Sequence, residues 1–334
     1  MRHLFVINPV SKRVKGCLES VKEMIHAFFR DYPGVVYDIY VSEWCRDSVA
    51  YVQRYASEMH RECLASREKC DIARIHVMGG TGTLFEVVNS IIGFPNTQIA
   101  AYPYGTANSF LKYFRVRNER LFADMKSQVF GPAFPMDVVR CGNNYGICYG
   151  MMGLEAASNA LGDRWIDKGM PGDLSYVMAA VSLVLGNRGT QNYVISMDDE
   201  EPIEGRFASV MVANAPCYGR NMVPAIDAHP DDGWLDVYVL KHHPSKLKML
   251  RTIPKHVFGN YRKAADMVSH YRARRIAVSS DEVMSISIDG EIFYGTSMEF
   301  DVVPQAIRFV CPEGVDLAKL PRIYNRPREG VRGA

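Results

Sequence analysis

Residues 76–89 read HVMGGTGTLFEVVN: the end of a strand, three glycines and the start of a helix within one short stretch. A strand that passes into a helix through so tight a turn commits this part of the chain to an α/β arrangement, because parallel strands need crossover helices. Gly79, Gly80 and Gly82 have no Cβ, so backbone N–H groups can close around an anion there. The helix from Thr83 points its positive end at the same spot. Packing alone could also call for glycines in a tight turn, so the flanking sequence has to decide.

The flanks repeat the pattern. Strands are predicted at 3–8, 35–41, 72–78 and 99–102, and helices at 15–30, 46–66 and 83–92. In the first helix Leu18, Val21, Met24, Ile25, Phe28 and Phe29 share one face. The alternation implies a doubly wound parallel sheet over residues 1–130, with ligands beyond the carboxyl ends of the strands. Asn8-Pro9, Gly79–Thr83 and Gly105–Asn108 all fall at such ends. Near residue 131 the texture changes. FGPAFPMDVVRCGNNYGICYG reads as a hairpin turning at Asn143-Asn144. One helix is predicted at 173–186, and strands at 191–197, 205–213, 234–240, 275–279, 284–288 and 298–310. Residues 131–312 are therefore expected to form a β-sandwich or barrel with helical insertions, the stretch 245–271 being one of them. Residues 313–334 remain as a basic C-terminal segment.

Bulk properties narrow the class. A chain of 334 residues is long enough for two cores, and no apolar run approaches the roughly 20 residues that span a bilayer. The opening MRHLFVINP is too short and too quickly polar for a signal peptide. Eight cysteines without a CxxC pair suggest reduced thiols in a cytoplasmic protein; Cys63 and Cys70 near His60 match no standard zinc spacing. The net charge of +2 hides an asymmetry: residues 241–275 hold ten Lys/Arg against Asp266 alone. Such a segment suits an anionic surface, although a solvated helical face would look the same. No helix-turn-helix or zinc module accompanies it, so no nucleic-acid partner is expected.

Five motifs now fall in order: Asn8-Pro9-Val10-Ser11-Lys12; Gly79-Gly80-Thr81-Gly82-Thr83 with Asn89; Pro103-Tyr104-Gly105-Thr106-Ala107-Asn108-Ser109-Phe110; Asp232-Gly233-Trp234-Leu235-Asp236; and Asp289-Gly290-Glu291. In this the chain resembles the bacterial diacylglycerol kinase-like lipid kinases, whose catalytic domain is shared with sphingosine and ceramide kinases, from the first strand to about residue 312. The resemblance implies an N-terminal α/β domain of the NAD kinase/diacylglycerol kinase type, a C-terminal β-sandwich, and ATP with Mg²⁺. Nucleotide contacts would come from Asn8, Pro9, Val10, Ser11, Lys12, Ser42, Gly79, Gly80, Thr81, Gly82, Thr83, Leu84, Phe85, Thr106 and Asn108. A structural metal would sit at His229, Asp232 and Trp234, and Asp137 would serve the catalytic Mg²⁺. Glu291, with Asp289, would activate the lipid hydroxyl.

Three departures bear on activity. Thr81 and Ser109 stand where the family has aspartates, and Lys12 replaces a glycine. Mg²⁺ prefers carboxylate oxygens, so a site reduced to hydroxyls should slow phosphoryl transfer. Alternatives of the same fold are a degenerate nucleotide- or lipid-binding regulator and a soluble kinase of the NAD kinase type. The expected partner is a lipid substrate at an anionic membrane, with the protein peripheral to the inner face; a homodimer is compatible with the sequence.

Overall fold

The computed structural model describes residues 1–43, 46–66, 70–106, 108–114, 120–186, 190–217, 222–312 and 315. The basic C-terminal segment 313–334 expected from sequence lies outside the described residues, apart from Val315. The chain divides into two compact units, Met1–Val138 with Pro304–Leu320, and Val139–Val303 with Pro321–Ala334.

The first unit opens β1 (Arg2–Ile7), α1 (Leu18–Arg30), β2 (Val36–Val41), α2 (Asp47–Ala65), β3 (Ala73–Met78), α3 (Thr81–Ile91) and β4 (Thr97–Ala101). Two short helices follow, α4 (Arg120–Ala123) and α5 (Met125–Phe130). The strands are parallel in the order β2-β1-β3-β4. Every residue of β3 and β4 is buried, as expected of central strands covered on both faces. α1 buries Val21, Ile25 and Phe29 against Phe5, Ile7 and Met78, with Leu18 and Phe28 packed at the margin. Met24, placed on that face by spacing, is 41% exposed. A polar line runs through this core. His3 Nδ1 lies 2.9 Å from His76 Nε2, and His76 Nδ1 lies 3.2 Å from the Tyr102 hydroxyl. Burial, then Arg74 and the N-terminus, lower the His3 pKa to about 4.

Cys63, at the end of α2, is disulfide-bonded to Cys70, which overturns the reduced-thiol expectation for this pair. Their Cα atoms are 4.4 Å apart, a separation a bridge can span and one that sequence spacing cannot reveal.

β5 (Ala133–Cys141) carries the chain toward the second unit. There follow β6 (Asn144–Gly146), β7 (Tyr149–Gly153), α6 (Leu154–Asp167), α7 (Gly172–Leu185), β8 (Gln191–Met197), β9 (Ile203–Ala213), β10 (Leu235–Lys241), α8 (Lys246–Val257), β11 (Val268–Ala273), β12 (Arg275–Ile288) and β13 (Glu291–Val310). The β5–β6 turn is Gly142-Asn143, one residue earlier than the predicted pair, because Gly142 supplies the positive φ of 57°. β9 pairs with β8 over its first half and β7 over its second, and β12 pairs with the same two strands, so the sheet closes on itself through β8. Two helices interrupt the strands where one was expected; α6 was not foreseen. β11 was likewise absorbed into the predicted insertion, of which α8 is the helical part.

Candidate active site

In the first unit β1 lies between β2 and β3, so the chain order reverses between the ends of β1 and β3. That is the switch point where open α/β sheets bind ligands. Asn8 follows β1 and donates its backbone N–H to the Met78 carbonyl at the end of β3. The Asn8 Nδ2 donates to Thr83 Oγ1 at 3.0 Å, and its Oδ1 accepts from the Val10 amide, folding the Asn8–Ser11 turn. Ser11 Oγ donates to the Asn8 carbonyl. Ser42 stands at the adjacent end of β2, its amide on the Ile7 carbonyl.

α3 starts at Thr81, two residues before the predicted Thr83, with Gly80 as N-cap and no side chain capping it. Its first-turn amides therefore point out of the end of the helix. A Cβ on Gly79 would overlap the Thr83 side chain, and one on Gly105 would overlap the Gly80 backbone. Two glycine loops thus pack backbone against backbone, which only glycine permits. Asn108, at φ 49°, locks the second loop: its Oδ1 accepts from the Gly105 amide and its Nδ2 donates to the Gly105 carbonyl. Between them lies a pocket lined by Gly79, Gly80, Thr81, Tyr102, Asn108 and Ser109 among others. Both departures from the expected aspartates therefore line one pocket. Lys12 and Thr106 are exposed; Leu84 is buried and lines the same pocket, while Phe85 is buried and does not line it.

Asp137 is not among the residues lining this pocket. It is buried on β5 and its Oδ1 accepts from the Gln305 amide at 2.8 Å. No cluster of three His, Cys, Asp or Glu side chains suited to a metal occurs among the described residues. The donor set around Thr81 therefore does not fit a Mg²⁺ held by the protein's own carboxylates.

The second expected metal position also takes a different form. Asp232 accepts from the Trp234 amide and from the guanidinium of Arg272. Arg272 and Arg274 both lie over the Trp234 ring. Burial raises the Asp232 pKa to about 6 in spite of Arg272. A divalent cation at Asp232 would compete with this guanidinium for the carboxylate; the other two expected contacts, at His229 and Trp234, include backbone carbonyls that this pairing does not involve. The signal was hard to read because Arg272 arrives from β11, 40 residues downstream.

Asp289 and Gly290, at φ 50° and 100°, form a two-residue turn between Ile288 and Glu291. The Asp289 side chain is buried and accepts three backbone N–H groups, from Ile147 at 2.6 Å and from Cys148 and Tyr149 at 3.0 Å each. Burial outweighs these donors and pushes its pKa up to about 6. Its carboxylate is thus spent on holding the loop before β7. Glu291 is half-buried and near enough to Asp163 on α6 to add to the upward shift that burial imposes on that carboxyl. The Tyr176 hydroxyl on α7 donates to Asp163 at 2.6 Å. Sequence reading missed this contact, and also the buried group in which Glu155 accepts from Ser209 and pairs with His256.

Two family models match the chain: the diacylglycerol kinase catalytic domain over residues 2–141 and the YegS C-terminal NAD kinase beta sandwich-like domain over residues 150–311. The chain belongs to the diacylglycerol kinase-like lipid kinase family. It is 27% identical over 242 residues to a Staphylococcus aureus (strain JH9) protein named "Putative lipid kinase", covering 72% of this chain and 77% of that one. Two solved Bacillus anthracis structures, described as diacylglycerol kinases (the first as a putative one), share its fold. The first has TM-score 0.69 and 20% identity over 94% of this chain and 97% of that one; the second has 0.66 and 19% over 94% and 98%.

Proposed function

We propose that this protein is an ATP-dependent lipid kinase acting on a hydroxyl of a diacylglycerol-like lipid. The observation that carries the reading is the double glycine cradle at the β1/β3 switch point, where the uncapped start of α3 meets the Gly105 loop. Backbone amides and the helix dipole there suit the phosphates of a nucleotide. In the reaction the lipid hydroxyl oxygen attacks the γ-phosphorus, the bond to the β–γ bridging oxygen breaks, ADP leaves, and the hydroxyl proton passes to a base. Glu291 is assigned as that base. Asp289 is assigned to positioning, since its oxygens already accept three amides.

The test is transfer of radiolabelled γ-phosphate from ATP to a lipid panel, with Mg²⁺ or Mn²⁺ in the buffer. Glu291→Gln should cost about 10²–10⁴ in turnover with nucleotide affinity little changed. The second reading, a nucleotide-binding regulator without turnover, is favoured by one observation: Thr81 and Ser109 line the pocket with hydroxyls alone. It would be chosen if calorimetry shows ATP binding while no lipid is phosphorylated above background.

A further inference from the structure

The ten cations of 241–275 do not form one bare patch. Lys248 pairs with Asp266, Arg262 with Asp227, and Arg272 with Asp232. The other seven are exposed and make no ion pair among the described residues, Lys246, Arg251 and Lys255 on α8 among them. Leu247 on α8 and Phe258, its C-cap, are each more than half exposed.

α7 lies beside it. From Leu174 to Gly186 this helix has no charged residue. Leu174, Val177, Met178 and Leu185 recur at helical spacing and are between 44% and 60% exposed. This is a contiguous apolar stripe facing solvent, which soluble proteins ordinarily avoid. The end of α7 meets the start of α8, where the Lys246 ammonium donates to the Leu185 carbonyl at 2.6 Å. At that junction exposed leucines and unneutralised cations share one surface. α8 is in turn held from beneath by buried His256, whose Nε2 is 3.2 Å from Glu155.

We infer that α7 and the outer face of α8 form a membrane-docking surface for an anionic lipid bilayer. The apolar stripe enters the acyl boundary, and Lys246 and Arg251 meet the lipid phosphates. At 14 residues α7 is about 21 Å long, short of the roughly 30 Å hydrocarbon core, so it lies in the interface rather than crossing it. No helix among the described residues is long and apolar enough to cross. A second copy of the chain is the less suitable occupant, because a twofold contact would face the patch holding Lys246 and Arg251 onto the same basic patch. The surface deepens the lipid-kinase reading and rests on it only for its purpose. Tyr176 of α7 bonds Asp163, which senses Glu291, so the docked helix belongs to the same neighbourhood as the assigned base.

The experiment is sedimentation of the full chain, without nucleotide, with vesicles of equimolar phosphatidylglycerol and phosphatidylcholine. Binding should weaken with salt, should be much weaker on pure phosphatidylcholine, and should fall about fivefold in Arg251→Gln. The double change Val177→Asp and Met178→Asp should lower it about tenfold or more, with solubility and circular dichroism unchanged because both positions are exposed. Val177→Trp should be quenched by lipids brominated along the acyl chain. Unchanged binding in the double variant overturns the inference, as does an absence of quenching. So does a double variant that splits a dimer in sedimentation velocity yet still binds vesicles. Intact vesicle binding with no phosphate transfer would count against the kinase reading alone.

Discussion

Removing the Asp289 side chain tests the division of labour in the Asp-Gly-Glu turn. Asp289→Ala strips the acceptor from three buried backbone N–H groups, those of Ile147, Cys148 and Tyr149. At about 1–3 kcal/mol for each orphaned donor, the gross cost is about 6 kcal/mol. The change also relieves a buried charge. The Asp289 pKa stands at about 6 against an ordinary 3.8, and that displacement corresponds to about 3 kcal/mol of charge burial at neutral pH. The net destabilisation at pH 7 is therefore about 3 kcal/mol. A carboxyl raised in the folded state contributes stability that is fully present below its unfolded pKa and lost as pH rises through 6. Wild type therefore gains about 3 kcal/mol through this residue between pH 7 and pH 4, and the variant does not. The deficit should widen on acidification, to about 6 kcal/mol at pH 4. Urea unfolding at both pH values measures it. Hydrogen exchange at the amides of Ile147, Cys148 and Tyr149 localises it: protected in wild type and in Glu291→Gln, fast in Asp289→Ala. A deficit that is flat or shrinks toward acid would refute the reasoning, because it would mean the loop is held by a favourably buried charge.

Gly105→Ala drives a Cβ into the Gly80 backbone and should lower ATP affinity at least tenfold in calorimetry, a loss of about 1.4 kcal/mol; unchanged affinity would remove the cradle from the nucleotide site. Thr81→Asp should raise Mg²⁺-dependent ATP turnover, and adding Ser109→Asp should raise it further because both side chains line one pocket. Rates indifferent to both changes would contradict the account of a weakened metal site. His3, with its pKa lowered to about 4, binds its proton less readily folded than unfolded, so its contribution is lost as pH falls from 6.5 to about 4, by about 3 kcal/mol. Asp289 runs the opposite way in that window and offsets it, so the comparison to make is wild type against His3→Asn, whose urea midpoint should rise relative to wild type on going from pH 7 to pH 4.

Much of the first unit was legible because a parallel sheet writes itself locally. The strands are short and separated by helical stretches, α1 shows a clean stripe, and the glycine turn sits in one contiguous segment. What escaped notice depends on contacts between distant residues. α6 was missed because Gly162 breaks its helical signal, yet a Cβ there would overlap the Tyr176 ring; the glycine lets α7 approach. β11 hid inside a basic stretch whose Arg262 and Arg272 pair with acids 35 and 40 residues upstream. The Arg272–Asp232 pair was invisible for the same reason, whereas the Cys63–Cys70 bridge is local and escaped because spacing alone does not give the Cα separation it needs.

The two neutral substitutions near the glycine turn can be read further once they share a pocket. A single lost aspartate would leave one carboxylate there, whereas Thr81 and Ser109 together leave the pocket lining without a charged side chain. The Asn8–Thr83 bond, the Gly80–Gly105 approach and the Asn108 lock all remain in place. Such a site keeps the geometry that recognises phosphate while giving up the carboxylates that would fix a metal beside it. Nucleotide binding and phosphoryl transfer should therefore separate in this protein, the first retained at the cradle and the second limited by how well ATP brings its own Mg²⁺. Restoring one aspartate supplies a single carboxylate; restoring both supplies two hard oxygen ligands for the Mg²⁺ that ATP brings. For that reason the double substitution, more than either single one, reveals whether the chain retains a kinase's transition-state geometry.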